Sequence, residues 1–150
     1  MEDNPAPSQG TPPEPPVSPP PISPTPPPAN PEGQARTWNM LCHLSALAML
    51  VGVPFGNILG PLLVWQIKKN EFPSVDVHGK AAVNFQITVT LAFVLTLVAM
   101  WVGLFFCVGW LLVPVPFLIV LAGVIFAIVA AIKANNGEEY KYPWSLELVK

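Results

Sequence analysis

Between residues 81 and 132 the chain runs for 52 residues without one Asp, Glu, Lys or Arg. One membrane-crossing helix needs about 20 apolar residues, so this stretch accommodates two helices and a tight turn. A water-soluble domain of 150 residues has a large surface to wet, yet charged residues make up only 11 % of this chain. Mean hydropathy is +0.51. The expectation is an all-α integral membrane protein, a small helical bundle with the lipid bilayer as its solvent. A formal net charge of −2 supplies no clustered basic face, so nucleic acid is not expected as a partner.

The turn within the uncharged run falls between Cys107 and Pro116, where Gly109 permits irregular backbone. Pro114 and Pro116 suit the start of a helix better than its middle. The pattern therefore predicts one long transmembrane helix over about 76–106 and a second over about 115–135. Asn136-Gly137 is a natural stop, because glycine adopts the left-handed conformation that ends helices.

A shorter uncharged run, residues 37–67, precedes these. Pro54, Gly56, Gly60 and Pro61 put turn chemistry at its centre. Breaking there leaves two legs, about 38–52 and 57–68, each too short to cross a bilayer comfortably. A short broken or re-entrant helical hairpin is favoured over one tilted span. Gly52, Gly56 and Gly60 recur every fourth position, as close helix approach requires, or they serve as turn residues.

Residues 1–36 form a separate tail, and 37–150 the transmembrane domain. Fourteen of the 20 prolines lie in residues 1–35. So few apolar side chains cannot offset the entropy of ordering, so a disordered, polyproline-like tail is expected. It has neither the basic nor the apolar region of a signal peptide. Its Pro-x-x-Pro spacings fit an SH3-like partner, although dense proline makes them common by chance; a passive spacer is favoured.

Lysines set the expected orientation. The loop with Lys68, Lys69 and Lys80 is separated from Lys133, Lys141 and Lys150 by two crossings, which places both on one face. The positive-inside rule makes that face cytoplasmic, in a multi-pass protein of the cell membrane. With a hairpin in the first run, the N-terminal tail is cytoplasmic as well.

The densest polar constellation is Asp76, His78, Lys80, Asn84 and Gln86. At about 100° per residue, Asp76, Lys80, Asn84 and Thr88 share one track, with His78, Ala82 and Gln86 on roughly the opposite side. Asp76 or Ser74 is placed to cap the helix, and Asp76 precedes Lys80 at the favoured spacing. Asn84 and Gln86 enter apolar surroundings, where side-chain amides need partners on neighbouring helices or on the broken backbone around residues 54–57. Two readings follow: a packed, capped helix entry, which is favoured, or a polar cavity lined with His43 and Asn57. Tyr140, Tyr142 and Trp144 lie just past the last helix, as interfacial anchors would.

No sequence fingerprint of catalysis, metal or cofactor binding is present in the chain. Adjacent Cys42 and His43 point about 100° apart on a helix and make no nucleophile–base pair. Cys42 and Cys107, both in apolar runs, read as buried hydrophobes. An enzyme is not expected, nor any cofactor.

Several motifs occur together in order: His43-Leu44-Ser45; Pro54-Phe55-Gly56-Asn57-Ile58-Leu59-Gly60-Pro61; and Trp65-Gln66-Ile67-Lys68-Lys69. Val75-Asp76-Val77-His78-Gly79-Lys80, Asn84-Phe85-Gln86, Ala131-Ile132-Lys133-Ala134-Asn135, and a Gly137-Glu138 to Tyr142-Pro143 ending follow. Over residues 38–148 the chain resembles a bacterial membrane-domain family of unknown function. That family is distantly related to the small channel-type subunit of the chloroplast inner-envelope (Tic) import translocon. The resemblance implies a helical membrane bundle of three or four segments with no catalytic residues. Carrying a translocation role across it is fold-level analogy. The leading expectation is a non-enzymatic module that assembles with itself or with other membrane proteins. The alternatives are a pore or translocon-like component, and an anchor presenting the proline arm to a partner.

Overall fold

The computed structural model describes residues 30–150; residues 1–29 of the proline tail, on which the SH3-like partner was expected, fall outside the described residues. Every regular element among the described residues is helical. The first, α1 (Pro31–Leu44), starts inside the stretch assigned to the tail. Its start has ordinary causes: the Asn30 side chain accepts from the Gly33 amide, Pro31 takes the first turn and Glu32 favours the positive helix end.

α1 tightens into a 3₁₀ segment (Ser45–Val51) that ends at Gly52, whose φ of 86° only glycine adopts freely. The chain reverses, and α2 (Gly56–Lys68) begins behind Phe55, itself left-handed at φ 54°. The break thus occupies residues 52–55. Gly60 and Pro61 do not break anything: both lie inside α2. Gly56 and Gly60 instead let the two legs touch. A Cβ at Gly60 would lie 2.2 Å from the Ser45 carbonyl oxygen, and one at Gly56 would lie 2.8 Å from the Ala48 backbone. Pro61 is fully buried, and it costs α2 only the one bond its missing N–H would make to residue 57.

After a turn at Lys69–Phe72, α3 (Pro73–Phe105) runs 33 residues, about 50 Å. A short 3₁₀ turn (Gly109–Leu112) leads to α4 (Pro114–Asn135). Neither Ser74 nor Asp76 caps α3; Phe72 holds that position without a side-chain bond, and Pro73 removes one amide that would need a partner. Segments Pro73–Phe105 and Gly109–Asn135 are long and apolar enough to cross a membrane, and their most apolar windows are only 0 % and 22 % buried. Apolar helices so uncovered are not the core of a water-soluble domain. The fold is an all-α membrane bundle.

The hairpin of α1 and α2 packs against one end of the α3–α4 pair. Ala127, Ala130, Ala131 and Ala134 give α4 a small-residue stripe, all at 2 % exposure or less; α4 packs against α1 and α3, and Ala130 lies against Phe85 and Tyr142. Gly79 of α3 accommodates the Trp65 ring of α2, whose Cγ would lie 2.4 Å from an added Cβ. The hairpin tip reaches only to about Phe93 and Val94, beside Phe55. Beyond it, Leu95, Trp101, Phe105, Trp110 and Phe117 stand exposed.

Candidate functional site

The polar residues of α3 sort into separate knots, each joining a different part of the bundle. At its first turns, Asp76 accepts from Trp65 Nε1 of α2 at 2.8 Å and from Lys80 Nζ at 2.6 Å. Two residues earlier, Ser74 is hydrogen-bonded to Asn39 of α1 at 3.0 Å. These contacts position the hairpin on α3.

The second knot is buried. His43 Nε2 lies 3.1 Å from His78 Nδ1, and His43 Nδ1 lies 2.8 Å from the Tyr142 hydroxyl. Exposures are 1 % for His43 and 5 % for both others. Two neutral imidazoles and a phenol satisfy one another in a chain, because each ring carries one donor and one acceptor. Burial, with the neighbouring His78, pushes His43 down to about 3, so the ring is neutral at physiological pH. Burial likewise pushes the Tyr142 phenol up. Tyr142, expected as an interfacial anchor, is instead core, stacked on Phe85 with centroids 4.0 Å apart. Headgroup preference yields here to two specific partners.

The third knot holds the hairpin tip. Asn57 Nδ2 donates to Thr90 Oγ1 at 2.9 Å and to Gln86 Oε1 at 3.4 Å. The fourth belongs to Asn84, which accepts from the Leu148 and Val149 amides and donates to the Val149 carbonyl, at 2.7–3.1 Å. Thr88 accepts from the Leu146 amide at 2.9 Å. Past Gly137, at φ 82°, the C-terminal segment therefore turns back along α3, pairing its backbone with side chains of one helical track. Trp144 lies at the bend, 87 % exposed.

His43, Asn57, Asp76, His78, Lys80, Asn84 and Gln86 consequently do not line one cavity. Asn57 and Gln86 border a pocket of only about 20 Å³. His78 and Asn84 border a separate groove of about 540 Å³, between α3 and the C-terminal segment. Every buried side-chain nitrogen and oxygen among the described residues has a partner. Asn39 and Thr90 were missed in the sequence, Thr88 was placed on the Asn84 track, and Ser74, expected as a cap, is instead the partner of Asn39. Thr90 follows Gln86 by one helical turn, which is the signal that marks it. Nothing local marks Asn39.

No group of three or more His, Cys, Asp or Glu among the described residues is placed to hold a metal ion. Cys42 is buried and Cys107 exposed, so of the two expected buried hydrophobes only the first is one; Cys107 lies at the end of α3 with φ 57°, in the turn, where no third helix covers it.

No curated protein and no solved structure matches the chain. A family model does, over residues 34–149, which takes in all but the first few of the described residues. That match supports a bacterial membrane family, as the motifs suggested, but contributes no tie to the chloroplast translocon. The chain belongs to the MamF/MmsF family, the magnetosome magnetite crystal formation protein family.

Proposed function

We propose that the protein is a non-enzymatic membrane module that assembles with itself or with other membrane proteins, and that it serves magnetite crystal formation, as its family's description states. The observation that carries the assembly reading is the two-helix end of α3 and α4 beyond Val94. There Leu95, Val98, Val102 and Leu111 flank a shallow apolar groove with no third helix over it. Gly103 and Gly109 touch across the turn, an added Cβ on Gly103 lying 2.9 Å from Gly109 Cα. The pair is thereby held together, and its outer faces are left to lipid or to neighbouring proteins. Close packing drives helix association in lipid, where no hydrophobic effect distinguishes a partner from an acyl chain.

Residue-level crosslinking in native membranes, read by mass spectrometry, tests this. Crosslinks between copies, or to another membrane protein, through residues 95–113 are the expected result. A strict monomer in native nanodiscs, with no crosslink from that end, would overturn it. A pore is the competing reading, motivated by amides at membrane depth. Against it, Asn57, Asn84 and Gln86 each bond to a partner inside the bundle. Ion flux through wild-type proteoliposomes that is lost in Gln86→Leu would favour the pore instead. The lysine-bearing loop and the C-terminus are assigned to the cytoplasmic side by their charge.

A further inference from the structure

The groove between α3 and the C-terminal segment joins charges of both signs to apolar side chains. Its volume is about 540 Å³, and Glu139, Glu147, Lys141 and Lys150 all line it, with Tyr140 and His78. The ion pairs among the described residues are Lys68–Glu71, Lys80–Asp76 and Lys133–Glu138; none uses these four charges. Both signs are therefore available within one groove. The α3 wall is built from residues 77–84, where the last charge on the helix, Lys80, gives way to the long uncharged run. That is the depth of lipid headgroups. Apolar side chains line it beside the charges: Val77 and Ala81 on α3, and Val149 on the returning segment.

We infer that this groove binds phosphatidylethanolamine, a phospholipid whose headgroup carries an ammonium and a phosphate. The ammonium is matched to the Glu139 and Glu147 carboxylates, the phosphate to the Lys141 and Lys150 ammonium groups, and the acyl chains to the apolar rim. A choline headgroup has no N–H to donate to the carboxylates. An anionic headgroup satisfies the lysines but meets the carboxylates as like charges. Charge-assisted hydrogen bonds of both kinds are stronger than neutral ones. The inference is independent of assembly, since a monomer holds the lipid equally well.

Delipidated full-length protein, reconstituted into nanodiscs of equimolar phosphatidylethanolamine, phosphatidylcholine and phosphatidylglycerol, is released into native mass spectrometry and its retained lipid identified. Phosphatidylethanolamine should be retained about tenfold over the other two. Glu139→Gln with Glu147→Gln should abolish that preference, and Lys141→Gln with Lys150→Gln should weaken retention, with helical content unchanged by circular dichroism. Equal retention of all three lipids, or preference for the glycerol lipid, would overturn the inference. So would a preference that survives in both double variants. Equal competition by soluble glycerophosphoethanolamine would remove the lipid from it.

Discussion

His43 Nε2 and His78 Nδ1 stand 3.1 Å apart, edge to face with rings 81° from coplanar, and join α1 to α3 inside the bundle. Tyr142, on the other side of His43, extends the link to the C-terminal segment. Three parts of the chain far apart in sequence thus share one buried hydrogen-bonded chain.

Tyr142→Phe keeps the ring on Phe85 but deletes the hydroxyl, leaving His43 Nδ1 without its partner. A loss of about 1 kcal/mol is expected, since single hydrogen bonds in membrane proteins are worth that order. Thermal unfolding in detergent measures it, and the faster exchange of amides 138–145 should accompany it.

Acid should weaken the same knot. The folded-state His43 is held down to about 3 by burial and by His78, whereas an unfolded histidine titrates near 6.5. The unfolded state therefore binds the proton first. Stability from this residue is full above about pH 6.5 and declines as pH falls towards 3. His43→Gln should flatten that part of the profile of melting temperature against pH; an unchanged slope would show that other groups set it.

Asn84→Leu removes three bonds to the backbone of residues 148–149. The helix should remain, while the returning segment comes free. Protection of the Leu146, Leu148 and Val149 amides should fall at least about tenfold in hydrogen exchange, equivalent to roughly 1.4 kcal/mol or more. Thr88→Val should affect Leu146 most, because only that amide is donated to Thr88.

Gly60→Ala forces a methyl group against the Ser45 carbonyl, where no flexible side chain can yield. Overpacking of this kind costs about 1–3 kcal/mol. Gly52→Ala meets nothing within 4 Å but must hold a φ of 86°, which costs roughly 1 kcal/mol. A melting series that ranks Gly60→Ala below Gly52→Ala checks both. The reverse order would mean that the two legs separate easily.

Composition and periodicity alone determine that this chain is a helical membrane protein, because lipid admits few backbone solutions and 52 uncharged residues admit few solvents. A break near Pro54 and a turn at Gly109 were legible for the same local reason, that a turn is specified by its own residues, although Gly60 and Pro61, read as breakers too, lie inside α2. That Asn84 and Gln86 need partners was also legible, since a buried amide must bond. Which partner each takes was not. Gln86 of α3 meets Asn57 of α2, Asn84 meets a segment 64 residues further on, and Tyr142 leaves the interface for His43. Such choices depend on how α1, α3 and α4 pack together, a property of the packed bundle that no single stretch of residues contains.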